Sequence, residues 1–258
     1  MFQILVQRSF GGNLKFLRWI GLYRTSNFTS RFYKFYGVTF YVLAAWIFPL
    51  LAASATILDA DADISRVTDT LYLLPQMWIL TVKILPFLNK SSEINNLLLK
   101  INSEQIRHRL SKHQEIMASC SDECRKLFLF FIASSVTAWI FWMTGPLFVK
   151  DMIVPMEILL PFELTKEHAL YYPTLSYIGG CVLYGAIANS SMDCLISGLI
   201  YHISGQIKIL KYNLSHIGEN ADQTLSHMEE TGEEQTNRNY VISTHLQECI
   251  EHYDDIIR

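Results

Sequence analysis

Few side chains in this sequence carry charge. Of its 258 residues 17% are Asp, Glu, Lys or Arg and half are hydrophobic, where an ordinary soluble domain is about a quarter charged. The basic residues do not cluster with aromatics, which excludes a nucleic-acid binder. Catalytic signatures are missing too: there is no Gly-rich phosphate loop, no Ser nucleophile elbow and no His-Glu-x-x-His. No enzyme and no cofactor are therefore expected. Met1 to Gly12 holds neither a long apolar core nor a small-residue cleavage site, so it is no secretory signal.

What the chain has is long apolar runs. Gly37 to Leu58 and Leu127 to Val149 contain no charged residue before their ends, and Tyr171 to Ile207 holds one acid, Asp193, and one histidine, His202. A helix of roughly 20 apolar residues crosses a bilayer. A weaker run, 67–88, contains Asp69, Lys83, Pro75 and Pro86. It reads as a span with Asp69 at one interface and Lys83 snorkelling to the other. The expected fold is all-α, a polytopic membrane helical bundle with four transmembrane helices.

Charge sets the expected orientation, because basic residues mark the cytosolic side. Arg8, Lys15, Arg18, Arg24, Arg31 and Lys34 precede the first span with no acid among them. Asp59, Asp61 and Asp63 face one Arg66 in the first connection. The second holds Lys90, Lys100, Arg107, Arg109, Lys112, Arg125 and Lys126, diluted by acids. The third has Lys150 and Lys166 against Asp151, Glu157, Glu163 and Glu167, and Lys208 and Lys211 follow the fourth span. The alternation implies a cytosolic N-terminus. Cys120, Cys124 and Cys249 then fall in cytosolic segments and Cys181 and Cys194 in a span, so no disulfide is expected. The sequons at Asn27, Asn89, Asn189 and Asn213 would stay unmodified.

The expected organisation is a cytosolic tail over 1–34, a four-helix membrane region over 35–214, an acidic cytosolic loop over 215–239 and the start of a further helix over 240–258. Phe16 to Tyr23 reads as an amphipathic piece lying on the inner membrane surface. The fourth helix runs unbroken to Leu214, roughly 65 Å against a core of about 30 Å, so its end should project into the cytosol. There Leu199, Ile203, Ile207, Leu210 and Leu214 form an apolar stripe that needs a partner, as do Ile94, Leu97, Leu98 and Ile101. The pattern Ile250, Ile256, Ile257 breaks off uncapped at Arg258, from which the natural gene is expected to continue. His245, Cys249 and His252 share a helical face at i, i+4, i+7 but lack a fourth ligand, and Cys120 and Cys124 lack a partner pair; helix packing is preferred to metal binding for both. Asp193 reads as a structural hydrogen-bonding acid.

Several motifs in order resemble those of insect odorant receptors. They are Gly21-Leu22-Tyr23, Lys83 to Lys90 followed by Ile94 to Ile101, Leu160-Pro-Phe162, Tyr171-Tyr-Pro173, Met192 to His202 followed by Gln206 and Leu210, and Leu246 to His252. The resemblance implies seven helices, of which four are present here. It implies a receptor for small volatile odorants, acting as a ligand-gated cation channel in a heteromeric tetramer with a co-receptor subunit in the plasma membrane of sensory neurons. Membrane lipid is the other expected partner. In such receptors the ligand site lies in the outer half of the bundle. The matching candidates here are Tyr72, Trp139, Trp142, Met143, Ser176, Gly180 and Tyr184. A gustatory receptor shares the topology, and an unrelated transporter or scaffold is the reading from another class. No inverted repeat supports the latter.

Overall fold

The structure, a computed structural model, describes residues 3–23, 31–58, 64–106, 111–148, 154–156, 158–162, 164–231 and 237–257. Arg24, Asn27, Asp59, Asp61, Asp63, Arg107, Arg109, Lys150, Asp151, Glu157, Glu163 and Arg258 lie outside them. The regular elements among the described residues are helical: α1 (Gln3–Trp19), α2 (Arg31–Tyr41), a π-helical turn (Val42–Ile47), α3 (Phe48–Leu58), α4 (Ile64–Asn89), α5 (Ser91–Ile106), α6 (Ser111–Phe148), α7 (Tyr171–Ser215), α8 (Ile217–Thr231) and α9 (Arg238–Ile257).

α7 is the axis of the molecule. It lies antiparallel to α6, as shown by Trp139 on Gly179, Ser135 on Ser190, Cys124 on Gly198 and His113 on Asn213. α4 lies on another side of α7, with Met77 and Leu80 against Gly185 and Lys83 reaching Asp193. Small residues permit this closeness. A Cβ on Gly198 would stand 2.6 Å from the Phe10 ring, and one on Gly179 would stand 2.7 Å from Met143 Cε. Such small-residue contacts let helices approach where lipid supplies no hydrophobic drive between them.

α2, the π-turn and α3 form one continuous rod, and Pro49 explains the turn. Proline has no amide to offer the carbonyl four residues back and its ring clashes with it. The ladder widens, and the Phe48 amide reaches Leu43 O, a π-type bond. The Ala45 carbonyl, which Pro49 cannot serve, accepts the Thr81 hydroxyl of α4 at 2.9 Å. A neighbouring helix thus satisfies the freed acceptor.

Gly21 ends α1. Its φ of +81° is the left-handed value that glycine adopts without strain. The Leu22 amide bonds Leu17 O at 2.8 Å and the Gly21 amide bonds Arg18 O at 3.2 Å, a Schellman pair with Leu17 and Leu22 both buried. Tyr33 and Tyr36 of α2 donate to Arg18, Trp19 and Tyr23 carbonyls, and the Tyr23 hydroxyl donates to Asn95 of α5. The Gly-Leu-Tyr motif is therefore the knot that joins α1, α2 and α5.

Three expectations change here. The 215–239 segment, read as a loop, holds α8: Ile217, Ala221, Leu225 and Met228 make a narrow apolar face that a count of its acids hides, and Ala221 is fully buried in an α8–α9 hairpin clasped by Arg238 on Asp222. The amphipathic piece at Phe16 to Tyr23 is the end of a longer helix. Its Phe10 and Leu17 are buried, and α1 packs against α6 and α7. On α7 beyond Asp193, its inner part in the orientation expected from charge, the buried face is Gly198, His202, Gly205, Gln206, Ile209 and Leu210, while Ile203, Ile207 and Leu214 of the expected stripe stay exposed. The face that admits the closest backbone approach is covered first.

Among the described residues two helices are long and apolar enough to cross a membrane, Arg31–Ile57 and Ser111–Pro146. Almost none of the second one's apolar window is covered by the rest of the chain, the reverse of a soluble core helix. Phe130, Phe141 and Phe148 of α6 stand exposed, as do Trp78, Ile79 and Val82 of α4. A belt of this extent marks a membrane-facing surface.

Candidate ligand site

The outer seam of α6 and α7 brings together part of the expected site. The Trp139 indole donates to Gly179 O at 2.9 Å, and Met143 lies across the same glycine. Gly179 rather than Gly180 thus faces α6; around Gly180 the space is open to 4 Å. Trp142 is half-buried against the core. Ser176 is exposed, and Tyr72 is 70% exposed. Tyr184 lies on the opposite side of α7, its ring 6.3 Å from Phe40. Its hydroxyl is buried and has no hydrogen-bond partner among the described residues.

Several residues that the sequence reading passed over line this outer half. Tyr177 packs edge-on against Phe48 and donates to Leu43 O at 3.1 Å, at the π-turn. Tyr41 donates to Thr81 O at 3.3 Å. Met156 and Ile158 of the connection before α7 are buried in the same core, and the Leu159 amide bonds Leu51 O at 3.0 Å, closing the bundle's outer end. Pro49 inside an apolar run, with the isolated polar Thr81 in the next helix, was the available signal.

Farther along α7, Lys83 Nζ meets Asp193 Oδ1 at 3.0 Å and Asn189 Oδ1 at 3.0 Å. The two charges that stood out separately in the sequence are one cross-helix pair. Lys83 bonds inward rather than standing alone at an interface. The arrangement neutralises a cation and an anion where hydration is costly. His245 contacts Glu248 and Thr224, His252 contacts Gln206, and Cys249 is buried; the three serve packing.

An all-helical bundle with an exposed apolar belt, polar pairs turned inward and a sealed outer end is a helical membrane protein. The family model described as 7tm Odorant receptor matches residues 63–258. Odorant receptor Or1 of Anopheles gambiae is 23% identical over 214 residues, covering 81% of this chain and 51% of that relative. The chain belongs to the insect odorant receptor family. It spans about half the length of that curated relative.

Proposed function

We propose that this chain is the ligand-recognising part of an odorant receptor subunit, with the odorant site in the outer half of the bundle, around Tyr184 of α7. Family membership supports the class, and the buried, unpartnered Tyr184 hydroxyl supports the place. A buried hydroxyl without a partner costs about 1–3 kcal/mol. A small odorant carrying one polar atom recovers that cost, while Trp142, half-buried against the same core, supplies apolar contact. The basic excess before α2 and the acids between α3 and α4 support four helices crossing in alternation with the N-terminus in the cytosol. The alternating direction of α3, α4, α6 and α7 supports the same count. In the full receptor the subunit gates a cation channel with a co-receptor in a heteromeric tetramer. The exposed inner stripe of Ile203, Ile207 and Leu214 supports a subunit contact there.

The test is patch recording from cells expressing the complete receptor with its co-receptor. Odorant-evoked current persists without GTP, and Tyr184→Phe, which removes only the hydroxyl, lowers sensitivity to ligands with a polar group more than to hydrocarbons. Current that requires GTP overturns the channel mechanism. Unchanged sensitivity to both ligand types at normal surface expression overturns the role of Tyr184.

A further inference from the structure

α1 and α6 leave a cleft between them of about 250 Å³. Its two ends differ in chemistry. Gln7, Arg8, Ser9 and Arg125 line one part, and Phe128 and Leu129 line the other. Arg8 gives one guanidinium nitrogen to Asp122 at 2.6 Å. Arg125 is exposed and has no ion pair among the described residues. Two cations thus face one carboxylate, so the polar part keeps a positive excess. Guanidinium groups match phosphate oxygens in a fork, and they keep their charge at every physiological pH.

The cleft's position in α6 completes the picture. Arg125 and Lys126 end the polar part of that helix, and Leu129, Phe130 and Phe131 open its exposed apolar part. A free inorganic anion gains nothing from an apolar wall. A lipid without a phosphate gains nothing from the arginines. A molecule with a phosphate joined to an acyl chain uses both, and the polar-to-apolar boundary of α6 is where a membrane presents one.

We propose that the α1–α6 cleft is a binding site for an anionic phospholipid, with Arg8 and Arg125 on its phosphate and an acyl chain along Phe128 and Leu129. The proposal rests on the reading above that this end of α6 lies at the inner membrane boundary. The bound lipid bridges α1 to α6 beside the point where the Phe128 ring presses on Gly12; a Cβ there would be 2.5 Å from the ring. α1 is thereby held in place from two sides.

The test uses the full chain, delipidated in a neutral detergent, with lipid adducts measured by native mass spectrometry. Dioleoyl phosphatidic acid and dioleoylglycerol serve as probes because they differ only in the phosphate. The expected result is that phosphatidic acid binds about tenfold more tightly than dioleoylglycerol, and that Arg125→Gln weakens it about fivefold. Arg125→Lys, which keeps the charge without the fork, falls between wild type and Arg125→Gln, and Lys112→Gln, a charge removed roughly 20 Å away along α6, leaves binding unchanged. A large excess of inorganic phosphate does not displace the lipid. Equal binding of the two lipids, wild-type binding by Arg125→Gln, an equal loss in Lys112→Gln, or displacement by inorganic phosphate overturns the proposal. Arg125 is exposed, so its variants keep the fold, checked by monodispersity and helical circular dichroism. Detergent removes topology from the measurement. Antibody access to a tag after Met1, on intact and permeabilised cells, tests the orientation separately.

Discussion

The outer and inner halves of this bundle are held by different kinds of contact. In the outer half, Trp139 bonds the Gly179 carbonyl, Tyr177 the Leu43 carbonyl and Thr81 the Ala45 carbonyl. In the inner half, contacts to carbonyls recur, with Tyr33 and Tyr36 on the end of α1 and Cys124 on Gly198, but side-chain pairs are added to them: His202 with Ser9 at 3.0 Å, His113 with Asn213 at 2.7 Å, His252 with Gln206 at 2.9 Å and Arg8 with Asp122. A carbonyl recurs at every residue, so a bond to one sets register only weakly. A side-chain pair exists at one register alone. The outer half is therefore suited to adjust around ligands of different shape, and the inner half to fix how the helices meet.

The largest expected effect falls at the α1 knot. Gly21→Ala forces a side chain into a left-handed conformation and brings its Cβ to 2.5 Å from Gly37 Cα. The loss is about 3 kcal/mol, from backbone strain and overpacking together. Surface expression and the melting temperature in detergent both fall. Gly180→Ala in the outer half, with open space to 4 Å, changes neither. Equal effects of the two would erase the contrast.

Lys83→Met comes next, since it leaves the Asp193 carboxylate beside α4 without its cation. Both side chains are about 40% exposed in the isolated chain, so the cost is less than for a fully buried pair, about 1–3 kcal/mol. Replacing both, Lys83→Met with Asp193→Leu, restores most of the stability in the same melting assay. A double variant as unstable as the sum of the singles would show that the pair is not a unit.

Thr81→Val sharpens the outer side. It removes the hydroxyl that serves the carbonyl orphaned by Pro49, at about 1–2 kcal/mol. In a Pro49→Ala background the new amide serves Ala45 itself, so Thr81→Val then costs much less. A double-mutant cycle in thermal stability reads the difference, and strict additivity would disprove the link between Pro49 and Thr81.

The smallest effect is a pH dependence confined to the inner half. Burial holds His113 below its ordinary value of 6.5, partly offset by its bond to Asn213. The unfolded chain then binds the proton more readily than the folded one, so stability is full above pH 6.5 and declines as pH falls through the lowered folded value. The melting temperature drops between pH 7.5 and pH 5.5, and His113→Asn shrinks that drop. An unaltered drop in the variant would remove His113 from the account.

The long apolar helices were legible in the sequence, because composition over 20 or more residues outweighs local exceptions. The pairing of those helices was not. Lys83 and Asp193 each drew notice, yet nothing in one sequence says that they lie at the same level of neighbouring helices. α8 was hidden because its apolar face is one residue wide among acids. The buried face of inner α7 was read only in part: Leu210 is buried and Leu199 packs on the core, but hydropathy ranks Ile203 and Ile207 above Gly198 and Gly205, whereas close helix contact ranks them the other way. Of the seven candidate ligand residues, Trp139 and Met143 meet at one glycine, while Tyr72 and Ser176 are exposed.

The central claim is that the outer half reads the ligand while the inner half holds the bundle together. It is tested most directly by the rank order of odorant responses in a full receptor with its co-receptor, compared between Trp142→Ala and His202→Gln at matched surface expression. Trp142→Ala is expected to reorder the ligands, and His202→Gln is expected to change the amount of receptor at the surface while preserving the order. A reordered panel in His202→Gln, or an unchanged one in Trp142→Ala, would contradict the division.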